Sequence, residues 1–311
     1  MTALICGSMA FDTVMVFNGR FRDHILPDRI HLLNVSFLVP SLRRNFGGCA
    51  GNIAYNVGLL GGAGVPMATV GHDFGPYGHW LRERSIDLTH VRVIDGEFTA
   101  QAFITTDLDD NQITAFHPGA MNHSHVVQVP RADGITLGVV APDGREGMQL
   151  HAEQFAAAGI PLLFDPGQGL PMFDGEELRS FIARSAWVAV NDYEGQMLQE
   201  RTGLSHAEIA RQLRALIVTR GAEGSVIYAD GREIVIPAAR PDAVVDPTGC
   251  GDAYRAGLIF GLQNGLDWET TGRVASLMGA IKIAHAGTQQ HRFTRDEFED
   301  RFLASFGRTL R

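Results

Sequence analysis

Residues 246–257 read DPTGCGDAYRAG. Two glycines flank a cysteine, an aspartate follows at once, and the text then turns helical. Pro247 favours a turn, and Gly249 and Gly251 permit backbone angles that side chains resist. A helix starting near Asp252 would present free amides and the positive end of its dipole, and the two together make an anion site. A carboxylate beside such a site is out of place for binding alone. It makes sense where a proton leaves a hydroxyl as a phosphoryl group arrives. The same stretch also suits an N-capping aspartate after a glycine turn.

Working outward, apolar runs alternate with helical text. ALICGS (3–8), VPMATVG (65–71), ITLGVVAP (135–142), PLLFDP (161–166), AWVAVN (186–191) and LIVTRG (216–221) read as buried strands. Helical spacing covers 47–62, 75–85, 145–158, 175–184, 192–201, 205–215, 252–264, 268–285 and 294–305, and SVIYADGREIVIP (225–237) reads as a hairpin turning at Asp-Gly. Such alternation predicts an α/β fold whose parallel sheet is covered on both faces, with ligands at the carboxyl ends of its strands. Two stretches of purely β text interrupt it. One holds TVMVF (13–17) and HLLNVSFLV (31–39); the other flanks DLDDN (107–111) with two β runs. These insertions, at about 13–46 and 91–117, would form a small sheet over that edge of a single domain spanning 1–311.

The chain has 311 residues, 45% apolar and 20% charged, with a formal net charge of −9. That balance fits a soluble globular protein and argues against a general nucleic-acid binder. Lys282 is the only lysine, so no Walker A Gly-Lys-Ser/Thr exists. Cys6, Cys49 and Cys250 form no C-x-x-C pair and read as free thiols of a reduced, cytoplasmic protein. The N-terminal run lacks a basic leader region, and no apolar run reaches membrane length, so no membrane association is expected.

Three further stretches carry chemistry. GGCAGNIAYN (47–56) opens a helix with glycines, and Asn52 offers a donor and an acceptor suited to sugar hydroxyls; tight helix packing is the alternative. VNDYEGQML (190–198) sets Asn191 and Glu194 on one face of a helix start, suited to a hydrated magnesium or to a capping box. VTRGAEGS (218–225) puts Thr219, Gly221 and Gly224 in a strand-end loop that fits a nucleotide phosphate or a hairpin turn. His117, His123 and His125 have no zinc spacing and read as a solvated turn. Neither glycine cluster completes the dinucleotide fingerprint, which excludes a NAD-dependent oxidoreductase of that type.

Gly47-Gly48 with Asn52, Asn191-x-x-Glu194, Thr219-x-Gly221-x-x-Gly224 and Asp246-Pro-Thr-Gly249-Cys-Gly251-Asp252 together resemble the ribokinase (PfkB) family of carbohydrate and nucleoside kinases, in its order and spacing across nearly the whole chain. The resemblance implies a ribokinase-like parallel-sheet sandwich core with a small β-sheet lid. It implies Asp252 as base for the acceptor hydroxyl and the amides of Gly249, Cys250 and Gly251 as anion hole. It implies magnesium held through water by Asn191 and Glu194, and ATP along Asn191, Thr219, Gly221, Gly224, Gly249 and Gly251. Asp12, Gly47, Gly48 and Asn52 would bind sugar hydroxyls, with Phe103 and Met121 completing the substrate site. Some members also hold potassium beside the Asp246 loop, and HAGTQQH (285–291) would supply its other ligands. Many members have alanine where Cys250 stands.

The lid stretches carry Phe17, Phe21, Phe37, Phe46, Phe103 and Phe116, which could stack on a nucleobase or form the lid's own core. The lid holds no lysine; Arg20, Arg22, Arg29, Arg43 and Arg44 could supply basic side chains there instead. The text around 34–62, with HPGAM, DPGQGLP and VNDYE, looks closest to the prokaryotic nucleoside-kinase (adenosine-kinase-like) branch. The expectation is phosphorylation of a nucleoside, a purine such as adenosine, inosine or guanosine, at its 5′-hydroxyl. A ribose or fructose kinase, or a catalytically silent sensor on the same fold, are the rival readings. Exposed lid edges suggest a homodimer.

Overall fold

The computed structural model describes residues 1–25, 34–109, 111–130 and 134–310. The strands are β1 (Thr2–Cys6), β2 (Ala10–Val16), β3 (Ser41–Gly47), β4 (Ala63–Val70), β5 (His90–Val93), β6 (Ala100–Thr106), β7 (Gln112–His117), β8 (Ile135–Val140), β9 (Leu162–Phe164), β10 (Trp187–Asn191), β11 (Ala215–Thr219), β12 (Ser225–Ala229) and β13 (Arg232–Ile236). The helices are α1 (Cys49–Leu59), α2 (Gly75–Arg82), α3 (Arg145–Ala157), α4 (Gly175–Arg184), α5 (Asp192–Thr202), α6 (His206–Ala210), α7 (Cys250–Gln263), α8 (Trp268–Ile283) and α9 (Arg295–Phe306).

Nine strands form one sheet in the order β13-β12-β11-β10-β9-β8-β1-β4-β5. From β5 to β11 every neighbouring pair is parallel, and only β12 runs against them, antiparallel to both β11 and β13. Successive strand residues feed opposite cores, as the two-residue strand period requires. Ala3 and Ile5 pack with α1 and α7 residues such as Ile53, Val57 and Ile259, whereas Leu4 and Cys6 pack with Met148, Phe155 and Phe181 of α3 and α4. The chain builds outward from β1 in both directions, so the strand order reverses beside β1. Crevices at such reversals open at the carboxyl ends of the strands.

The expected second sheet is present, in the order β3-β2-β6-β7. Its boundaries differ from the sequence reading. β3 covers SLRRNFG, and residues 34–39 of the expected strand have no regular structure, while 31–33 lie outside the described residues. Charged edge-strand text carries little β signal; pairing with β2 makes this stretch a strand. The start of the 91–117 stretch belongs to β5, which extends the large sheet beside β4. The helix expected over 205–215 stops at Ala210, because Ala215 must already pair in β11. The turn expected to be solvated at 117–125 is a 3-10 segment, Gly119–Val126, that buries Ala120 and Ser124.

The last three helices aim the site. α7 lies against α8 so closely that a Cβ at Gly257 would sit 2.4 Å from the Ala275 Cα, and one at Gly261 would strike Thr271. Gly257→Leu is therefore expected to lower stability by about 1–3 kcal/mol, the usual cost of overpacking. Urea unfolding checks this, and an unchanged midpoint would contradict the close crossing.

Candidate functional site

Two helix N-termini meet at the centre of the molecule. α1 starts after Gly48 at φ 86° and α7 after Gly249 at φ 77°; Ser8 Oγ accepts the first amide of α1, from Cys49, at 3.2 Å, whereas no side chain caps α7. Both positions need glycine, since other residues seldom adopt these angles. At Gly48 an added Cβ would also lie 2.6 Å from the Ser8 carbonyl oxygen. At the start of α7 the Cys250 amide turns back to the Pro247 carbonyl at 3.2 Å, and the positive end of the helix dipole points to the crevice. Gly249 takes the cap position, so Asp252 does not; it stands inside the first turn.

Asp252 reaches across to α1. Its Oδ2 accepts a 2.8 Å hydrogen bond from Asn52 Nδ2. Burial pushes its pKa up to about 7; the Asn52 bond and the charge of Arg255 pull down, and the charge of Asp165 pushes up. Asn52 is itself held. Gln289 Nε2 donates to Asn52 Oδ1 at 3.0 Å and to the Tyr77 hydroxyl at 2.6 Å, Trp80 Nε1 donates to Gln289 Oε1 at 3.1 Å, and the Tyr77 hydroxyl donates to the Gly47 carbonyl at 3.0 Å. The thiol of Cys49 also lies beside Asp252, and burial raises its pKa further. The Cys250 thiol turns back to the Asp246 carbonyl at 3.9 Å, and burial lifts it to about 11. The sequence reading passed over Tyr77 and Trp80, took Cys49 only as a free thiol, and quoted Gln289 only within HAGTQQH as a source of potassium ligands.

Asp12 enters from the small sheet. Burial and then the charge of Asp246 push its pKa up to about 6. A Cβ at Gly47 would overlap the Asp12 carboxylate, so this glycine leaves room for it. In the strand register, Asp12 lies across from Asn45 and Ala102, and Ala102 from Phe116. These four share one face. Phe103 pairs with Thr13 and Ala115, so it projects from the opposite face and is separated from Asp12. Met121 lies in the Gly119–Val126 segment, half-buried.

Most lid aromatics serve packing. Phe17, Phe21 and Phe37 cluster with ring centroids 4.8–6.0 Å apart, and Phe46 stacks on Tyr77 at 4.6 Å. Only Phe103 and Phe116 of the six are exposed. The arginines are also largely committed: Arg20 pairs with Asp109 at 2.9 Å, Arg22 with Asp109 at 3.7 Å, and Arg44 with Asp73 at 3.2 Å. Arg43 is exposed on the Asp12 face; Arg29 lies outside the described residues.

Asn191 and Glu194 sit at the carboxyl end of β10 in a complete capping box, each side chain accepting the other's amide. Burial, then Asp165, raises the pKa of Glu194. One turn past Asp252, Arg255 is almost fully buried and joins Asp165 at 2.9 Å, the Ala189 carbonyl at 3.1 Å and Glu194 at 4.0 Å. It links the Glu194 and Asp252 regions electrostatically. Thr219 stands directly across from Asn191, and the loop to Gly224 closes the β11–β12 hairpin, with positive φ at Gly221 and Gly224. The Asn191 and Thr219 stretches thus share one strand-end edge. Among the described residues no group of three or more His, Cys, Asp or Glu could hold a metal. His123 and His125 instead approach Glu97 and Glu146, each at 3.4 Å. No helix among the described residues is long and apolar enough to cross a membrane.

The pattern of the pfkB family carbohydrate kinases matches residues 12–294. The chain is 31% identical over 270 residues to a nucleoside kinase of Methanocaldococcus jannaschii, covering 86% of this chain and 89% of that protein. The structure of a Burkholderia thailandensis nucleoside kinase in complex with inosine is similar at a TM-score of 0.90 and 52% identity, covering 99% of both chains. That kinase in complex with ADP-inosine gives 0.88 and 53%, covering 99% of this chain and 97% of the other.

Asn52→Leu removes the donor that holds Asp252 ionised, so the Asp252 pKa should rise above about 7. An infrared titration of the buried carboxyl band reads this directly. An unchanged or lower pKa would contradict the described electrostatics.

Proposed function

Because the chain belongs to the pfkB family of carbohydrate kinases, we propose that it transfers the γ-phosphoryl group of ATP to the 5′-hydroxyl of a purine nucleoside, with Asp252 as the base. The observation that carries this reading is the Asp252 carboxylate, tethered by Asn52 beside the uncapped start of α7, with its pKa raised to about 7. A base poised near working pH can take a hydroxyl proton and still be regenerated.

The roles follow from the arrangement. Asp252 accepts the proton as the substrate oxygen attacks phosphorus. The amides of Gly249 and Gly251, joined by that of Cys250 once it leaves the Pro247 carbonyl, would face the charge that develops on the moving group, where fixed dipoles are most effective. Asp12, Gly47, Gly48 and Asn52 grip the ribose, Met121 borders the substrate, and Thr219, Gly221 and Gly224 line the nucleotide. Phe116 replaces Phe103 as the aromatic neighbour of the base. It lies two strands from Asp12 on the same face, about 10 Å away at ordinary strand spacing, which suits a nucleoside whose ribose is held at Asp12. The relatives named for nucleosides and the inosine complex support the same acceptor.

Magnesium fits the residues present. Asn191 and Glu194 are hard oxygen donors beside the proposed phosphate site, and burial raises the pKa of Glu194 although Arg255 lies 4.0 Å away. When bound, the ion neutralises phosphate charge; Asn191 and Glu194 would hold it through water. We also take the protein to be cytoplasmic and a homodimer through the small sheet. Supporting the dimer, all six residues of the edge strand β7 are exposed and Leu42, Ile113 and Phe116 present apolar surface.

The test is ADP release with ATP and magnesium against adenosine, inosine, guanosine, cytidine, ribose, fructose and fructose 6-phosphate. Turnover on purine nucleosides is expected, rising with pH through about 7 as Asp252 ionises. Asp252→Asn should lower kcat by roughly 10²–10⁴. Turnover on a free sugar alone would overturn the acceptor, and an Asn variant within about threefold of wild type would overturn the base, whose usual worth is far larger.

A further inference from the structure

Lys282 is the only lysine in the chain, and its side chain is fully buried in the last turn of α8. Its Nζ donates to two backbone carbonyls, Asp246 O at 2.7 Å and His285 O at 3.1 Å. Both belong to loops that build the site. Asp246 opens the loop leading to Gly249. The 285–289 loop carries Thr288, which packs on Gly249, and Gln289, which orients Asn52. The loops are sewn together around the ammonium: Asp246 Oδ1 accepts the Thr248 amide at 2.9 Å, Asp246 Oδ2 accepts the Gly287 amide at 2.8 Å, and the amides of Val245 and Asp246 donate to the Ile283 carbonyl.

A buried ammonium is costly, and a neutral side chain would fill the same space. Of the 26 lysine and arginine positions, all but this one are arginine. A guanidinium is planar and large, whereas an ammonium is a compact point charge. Carbonyl oxygens at these distances also suit a desolvated potassium ion, for which they replace the hydration shell. A potassium ion bound by these two carbonyls would have to displace the Lys282 ammonium, so the residues present do not fit one there.

We propose that Lys282 is a built-in monovalent cation, a positioning residue that fixes the Asp246 and His285 loops and supplies positive charge behind the start of α7, so that the protein needs no added monovalent metal ion. The inference rests on the proposed kinase reading only for its activity readout. Its test compares wild type and Lys282→Met in potassium, ammonium and choline chloride at equal ionic strength, about 0.1 M, so that screening is constant. Wild-type kcat for ADP release and wild-type Tm should be the same in all three salts. The variant should lose roughly 10–100-fold in kcat in choline, the cost of a misplaced site. Potassium or ammonium should restore activity and raise the variant's Tm, since an ion that binds only the folded state stabilises it. Wild type activated severalfold by potassium would overturn the proposal. So would a variant indifferent to the cation in both readouts. If no acceptor supports ADP release, the kinase reading fails and the Tm comparison still decides the cation. If the variant does not fold, the wild-type salt comparison alone decides.

Discussion

The hydrogen bond from Asn52 to Asp252, 2.8 Å long, joins residues 200 positions apart. It can form only if two helices begin at the same point in space, one from each half of the chain. Each begins at a glycine with positive φ, Gly48 and Gly249, and each follows a strand or loop at the carboxyl edge of the sheet. Everything else near the site conforms to that meeting. The Tyr77–Gln289–Trp80 network fixes the Asn52 amide, and the α7–α8 crossing at Gly257 fixes where α7 points. A carboxylate so held is desolvated without being neutralised by a contacting cation, which is how burial comes to raise its pKa.

Charge is handled by division of labour. Arg255 stands one turn behind Asp252 and takes up Asp165 and the edge of Glu194, so the sheet side of the site is anchored by a guanidinium with several partners. Lys282 stands on the other side and meets carbonyls. Asp12 and Asp252 are left with raised pKa values and face the crevice. A buried ion pair is rarely a source of stability, so the Arg255 cluster is better understood as fixing geometry.

The α/β alternation was legible because parallel strands buried on both faces read as continuous apolar runs, and because the helix starts at α1, α5 and α7 carry glycine or capping signals. The Asn191-x-x-Glu194 spacing was legible as a cap, and the cap is present. What escaped depends on contacts distant in sequence. β3 is charged edge text made a strand by β2. Register alone turns Phe103 away from Asp12 and Phe116 toward its face. Phe17, Phe21 and Phe37 looked equally ready to stack on a base or on each other, and only the folded chain shows that they choose each other. Trp80 carries no pattern at all, and the stretches that hold Gln289 and Asp165 gave no hint of their partners; topology brings all three to the site.

The family and the relatives make the chain a kinase, and the proposed mechanism gives its chemistry to one carboxylate, Asp252. The most direct measurement of that claim is a crystal structure of this protein with inosine and a non-hydrolysable ATP analogue. The account predicts the 5′-hydroxyl oxygen within hydrogen-bond reach of the Asp252 carboxylate, about 2.6–3.2 Å, with the ribose against Asp12. A nucleoside bound with its 5′-hydroxyl turned away from Asp252, or phosphates away from the start of α7, would contradict it.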